Sequence, residues 1–332
     1  MNALVGVDHK SRRVGSVGDK TLGLGPADLE KILSASGICY DRLIHEPSLT
    51  DPTTGKPLTF PTEYQREVYG FIESGCPALM GFVLDPKAGD TSDPARHAIP
   101  IFGHTFNEDA WLPDAQRAYF GGGKTYYPSE NWLSNFVIHD DNFGPYFCLP
   151  RHFLKKDSVR LLYGLKPVPT SFRAIEAEAI GFDLCRIIAS MYPRRHQLWY
   201  DRFSIFTSGG WLGLRTLLLR REDYLSALET IKDRGDLPFE PDFCQRLRDM
   251  LPANFWMVEV SAPELFAATR RKFGEILVAA DKPATHPLSP SLFLAARLPG
   301  LLLVNPGTGS LEVRPSKLVG HTALFTFSKR PL

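Results

Sequence analysis

Two apolar segments constrain this chain most: His97-Ala-Ile-Pro-Ile-Phe-Gly103 and Asn135-Phe-Val-Ile-His-Asp140. Each reads as a β-strand with an ionisable residue at one end. His97 leads into the first, Asp140 ends the second, and Asn142-Phe-Gly-Pro then turns the chain away. If the strands lie side by side and antiparallel, imidazole and carboxylate become neighbours. A buried carboxylate beside an imidazole fixes its tautomer and stabilises its charged form, as a catalytic base requires.

The length of 332 residues, with 43% hydrophobic and 23% charged, is enough for two cores. The 38 basic and 37 acidic residues give a net charge of +1, so no strong field points to nucleic acid or an anionic membrane as a partner. The longest apolar run, Leu292 to Val304, is interrupted by Arg297, Pro299 and Gly300 and is too short to span a bilayer. The first ten residues have no basic flank followed by an apolar core, so no signal peptide is visible. Five cysteines without framework spacing suit free thiols, and a cytoplasmic location is the expectation.

Along the chain, Pro26 opens a short helix, and Ile38 to Ile44 reads as a strand. Pro47 to Pro61 reads as a loop holding four prolines. Thr62 and Gln65 form a capping box for a helix that Gly75 ends. Cys76 to Leu84 and the His97 strand make a hairpin across the polar turn Pro86 to Arg96. Asn107 to Ser134 is a long insertion rich in Trp, Tyr and Gly. Its aromatics line a groove or form the satellite core of a loop; the sequence leaves both open. Beyond Pro150 the expectation is helices over Ser171–Met191, Arg221–Lys232 and Asp242–Met250, with strands over Leu212–Leu219, Phe255–Ser261, Gly274–Ala280, Leu301–Val304 and Ala323–Phe327. The pattern is α+β in two units, 1–150 and 171–332, joined by a linker over 151–170, where three prolines fall between Pro150 and Thr170.

The order helix, Gly75-Cys-Pro-Ala-Leu-Met-Gly-Phe82, turn, His97-Ala-Ile-Pro-Ile-Phe-Gly-His104, insertion, Phe136-Val-Ile-His-Asp-Asp141 resembles the back half of a papain-like cysteine peptidase. The closest type is the bacteriocin-processing, double-glycine leader peptidases. Leu22 to Ile44 resembles the family's preceding helix and strand, so the likeness covers roughly residues 20 to 150. It implies a papain-like fold for unit 1–150, His97 as base, Asp140 as its orienting acid, and a peptide or protein as substrate or partner. No cofactor and no metal is the expectation. The family's nucleophilic Cys stands at a helix N-terminus upstream of everything matched, where the dipole lowers its pKa. Residues 1 to 21 hold no Cys. Three alternatives stay open: an N-terminal piece precedes Met1, the nucleophile has been lost, or another thiol serves. The first two leave this chain inactive as a peptidase; a transferase using the same residues is a further option.

Cys76 is the nearest substitute nucleophile, 21 positions before His97, though it follows a helix rather than opening one. Its plainer reading is a small apolar residue at a strand start. Cys39, Cys148, Cys185 and Cys244 read as core. His104 and His139 share strands with the pair, but an odd offset of seven sets His104 opposite His97 on a regular strand, and His139 faces away from Asp140. That argues against a three-His, one-Asp metal cluster. Ala118-Tyr-Phe-Gly-Gly-Gly-Lys-Thr125 fits a relaxed phosphate-loop pattern. It lacks the preceding buried strand, since Pro113 to Tyr119 looks helical, and Pro128 blocks a following helix, so a Gly turn is the expectation.

Overall fold

A computed structural model describes residues 26–84, 95–106, 118–120, 124–141, 143–191, 203, 207–233, 241–283, 289, 291–298, 301–315 and 324–325. Helix α1 (Pro26–Ala35) has proline at its first position, where no helical amide bond is lost. Then come β1 (Cys39–Ile44) and a short antiparallel pair, β2 (Glu46–Thr50) and β3 (Pro57–Leu58), within the segment expected to be a bare loop. Helix α2 (Tyr64–Glu73) starts later than the capping box predicts. Glu63 is its N-cap without a side-chain cap, and Thr62 Oγ1 instead donates to Glu67 Oε1 at 2.9 Å. Hydrogen bonding to a charged acceptor is the stronger option open to that hydroxyl.

β4 (Ala78–Leu84), β5 (Ala95–Phe106), β6 (Ala118–Phe120), β7 (Lys124–Pro128), β8 (Leu133–Asp140), β9 (Gly144–Pro150) and β10 (Val159–Lys166) follow. The first sheet runs β1-β10-β4-β5-β8-β9, antiparallel throughout. Alternate residues of its inner face (Met80, Phe82, Ile99, Ile101, Phe136, Ile138, Leu162) bury against Tyr64, Val68 and Phe71 of α2. The helix sits close because Gly164 of β10 lies under the Phe71 ring; a Cβ there would meet ring carbons at 2.3 Å.

Helix α3 (Ala174–Met191) leads to β11 (Gly213–Arg220), α4 (Arg221–Asp233), α5 (Pro241–Met250), β12 (Asn254–Ser261), α6 (Pro263–Thr269), β13 (Arg271–Lys272), β14 (Gly274–Ala279), β15 (Phe293–Leu298), β16 (Leu301–Val304), β17 (Glu312–Pro315) and β18 (Leu324–Phe325). The second sheet is mixed, ordered β17-β16-β15-β14-β12-β11-β7-β6, with β7 parallel to β11. α3 covers one face, where Gly181 admits Val258 at a distance no Cβ tolerates, 2.7 Å. α4 and α5 cover the other. Strands buried on both faces read as continuous apolar runs, which is why β11, β12 and β14 are legible without alternation.

The α+β class holds, but the expected division does not. Residues 151–170 are no linker: they carry β10, which lies between β1 and β4. In turn β6 and β7, from inside unit 1–150, belong to the second sheet. Ala118–Phe120 is a strand paired antiparallel with β7 rather than the end of a helix; residues 113–117 and the expected Gly turn at 121–123 lie outside those described. The turn expected over Pro86–Arg96 and the polar residues 1–20 also fall mostly or wholly outside the described residues. Among the described residues, no helix is long and apolar enough to cross a membrane.

Candidate functional site

β5 and β8 pair antiparallel with Ile101 opposite Ile138. Continuing that register sets Asp140 level with Ile99, two residues from His97 and on the same inward face. The side chains meet: His97 Nε2 lies 2.8 Å from Asp140 Oδ2. The acid's other oxygen is also held, because the amide of Phe143 donates to Asp140 Oδ1 at 3.2 Å. The turn after β8 therefore holds the carboxylate by one oxygen while the imidazole meets the other. The edge of the His97 ring relation to Phe82, at 5.5 Å and 84° between planes, fixes the ring's tilt. His97 is 25% exposed and Asp140 6%, so a shielded acid backs a base that meets solvent.

With Nε2–H donating to the carboxylate, the neutral ring presents its lone pair at Nδ1. No group among the described residues hydrogen-bonds that nitrogen. The arrangement can accept a proton at Nδ1 and stabilise the resulting imidazolium through Asp140. Asp141, the first residue of the turn, brings a second carboxylate to 3.6 Å from Nε2 and is 74% exposed.

None of the described thiols reaches this imidazole. Phe82 stands opposite His97, and Cys76 precedes Phe82 by six residues, so Cys76 sits about 20 Å away along the hairpin. It is also buried, its sulfur near the Ser74 carbonyl oxygen at 3.8 Å. The sequence expectation for Cys76 as nucleophile is thereby corrected: antiparallel pairing sends the start of β4 to the end of the sheet remote from His97. Cys39 is half-buried on β1, and Cys185 is buried in α3, where burial pushes its thiol pKa up. Cys148, read as core, is exposed on the edge strand β9. Cys244 lies on α5, with its side chain outside those described.

The two other histidines separate as the spacing argument requires for His139, which is exposed, but not for His104. A bulge between Ile101 and Gly103 resets the alternation of β5 and turns His104 inward too. There it meets the last residue of α2: His104 Nε2 lies 2.5 Å from Glu73 Oε2. Glu73 is shared with Arg215 of β11. From Arg215 a row of buried charge crosses the second sheet along directly paired residues, Arg215, Glu259, Glu275 and Arg297. Arg215 Nη1 donates to Glu259 at 2.9 Å, Lys272 bridges Glu259 and Glu275 at 2.8 and 2.7 Å, and Arg297 reaches Glu275 at 2.7 Å. Burial alone would raise the Glu73 pKa; Arg215 and His104 overcome it and hold it down at about 2. Glu275 is likewise held at about 2 by Arg297 and Lys272 against burial.

Sequence reasoning missed Asp141, Glu73, Arg215 and this row. Gly103 inside a strand pattern was the available signal for the bulge. Of the insertion's aromatics, Tyr126, Tyr127 and Trp132 are buried, with Trp132 edge-on to Phe266 at 5.0 Å, which is the satellite core rather than a groove; Trp111 lies outside the described residues. Comparison with protein-family models, curated proteins and solved structures finds no match to this chain.

Proposed function

We propose that the chain is a papain-like cysteine-peptidase-like protein supplying the acid–base half of a thiol acyl-transfer site. His97 takes the thiol proton at Nδ1 and returns it to the leaving amine. The thiolate carbon–sulfur bond replaces the amide bond, and water then releases the acyl group. Asp140 holds the ring. The observation that carries this reading is the 2.8 Å His97–Asp140 bond through Nε2, on a ring that is 25% exposed and has no hydrogen-bond partner at Nδ1 among the described residues.

The test is labelling of the natural full-length protein by an electrophilic peptide probe for thiolates. The expected result is labelling that falls by about 10²-fold or more in His97→Ala and in Asp140→Asn. Full labelling of His97→Ala refutes the role.

One observation favours a second reading, a non-catalytic papain-like module that binds a peptide or protein partner: no described thiol lies near the imidazole. Peptide binding that persists in a protein with no probe-reactive thiol selects this second reading over the first.

A further inference from the structure

His97 and Asp140 do not stand alone; Asp141 completes a set of three donor atoms that lie within 4.8 Å of one another. Successive strand residues point to opposite faces, so two adjacent carboxylates do not normally converge. Here β8 ends at Asp140, and the turn begun by Asp141 brings its carboxylate back to the ring. We propose that this set is a binding site for a divalent transition-metal ion, zinc above all.

Zinc holds nitrogen and oxygen ligands at about 2.0–2.2 Å, which sets tetrahedral donors about 3.3 Å apart. The observed separations from His97 Nε2 are 2.8 Å to Asp140 and 3.6 Å to Asp141, on either side of that value. Small rotations of exposed Asp141 and of the imidazole suffice to admit the ion. Phe143 holds Asp140 Oδ1, and Oδ2, the oxygen that faces His97 Nε2, is the atom that would turn to the metal as the ion replaces the ring proton between them. One imidazole and two carboxylates form a mixed nitrogen–oxygen donor set of charge −2, which matches a dication. Three protein ligands would leave a fourth position for water.

Occupancy has a chemical consequence. The ion takes the Nε2 lone pair, so the proton of a neutral ring moves to Nδ1. Nδ1 then cannot accept a proton, and metal binding and general-base action exclude each other. The metal site stands on the ligand geometry and does not depend on the thiol chemistry.

The experiment is calorimetric titration of the whole protein with Zn²⁺ alone, comparing the native chain with Asp141→Asn, His97→Ala and His139→Ala. The expected result is one zinc per chain, with affinity at least about tenfold weaker in Asp141→Asn and His97→Ala and unchanged in His139→Ala. Asp141 is exposed, so its variant folds even if His97→Ala does not. Absence of binding to the native chain overturns the proposal, as does native affinity in Asp141→Asn; loss in His139→Ala alone assigns the ion to the outer surface. Probe labelling run with a chelator keeps the two readings apart. Zinc binding lost with labelling intact removes only the metal site, and the converse removes only the peptidase reading.

Discussion

β5 carries two histidines that each set Nε2 against a carboxylate, yet the pairs stand in different surroundings. His97–Asp140 sits at the rim: its acid is shielded, and its second nitrogen is without a hydrogen-bond partner among the described residues. His104–Glu73 sits in the seam between the sheets. Its acid is shared with Arg215, and His104 Nδ1 is buried without a hydrogen-bond partner among the described residues. A short imidazole–carboxylate bond is therefore no mark of a reactive base. The two pairs differ in whether the other ring nitrogen is buried and whether an arginine already claims the acid.

Four measurements break or sharpen that contrast. Arg215→Ala takes one cation from each of two buried carboxylates, leaving Glu73 to His104 and Glu259 to Lys272, and is expected to cost about 3–5 kcal/mol in urea unfolding. A loss under 1 kcal/mol, on the order of a surface change, would mean the seam is not held by charge. Acid should act next. Glu73 and Glu275 lie at about 2 in the folded protein against an ordinary 4.5, so their stabilisation is complete above pH 4.5 and disappears as pH falls towards 2. Each contributes about 3 kcal/mol across that window, read as a declining unfolding midpoint, and a flat profile there contradicts the pairing. His104→Ala should cost about 2 kcal/mol, because it removes a packed ring and one partner of a buried acid. His97→Ala should cost less than about 1 kcal/mol while removing probe labelling. If His97→Ala destabilises as much as His104→Ala, the rim pair is structural like its neighbour.

Much of this was legible from local pattern. The β4–β5 hairpin, the antiparallel meeting of His97 with Asp140, and the buried strands β11, β12 and β14 follow from apolar runs and their bounding turns. The seam was not. The sequence shows α2 only as a capped helix and assigns no partners to Arg66, Glu67 and Glu73. In the fold all three face protein: Arg66 bonds Glu178 at 2.8 Å, Glu67 accepts from Arg173 at 2.7 Å, and Glu73 meets Arg215. The partners stand more than 100 residues away in sequence, beyond any periodicity. β10 was missed for a related reason: Pro150 closes β9 and Pro167 directly follows β10, rather than marking a break between units. Residue spacing likewise put His104 on the wrong face, because one extra residue at the bulge cancels an odd offset.

The exchange of strands between the sheets sets the timetable of synthesis. β1 borders only β10, so the first sheet cannot close its amino-terminal edge until residue 166 has left the ribosome. β7, made earlier, has its larger sheet only once β11 appears some ninety residues later. At ordinary translation rates of about 5–20 residues per second, nascent chain waits for seconds with apolar edges uncovered. The first sheet therefore has all its strands only once β10 is out, and the second waits longer, so a ribosome stalled before residue 166 holds a product that has neither sheet complete.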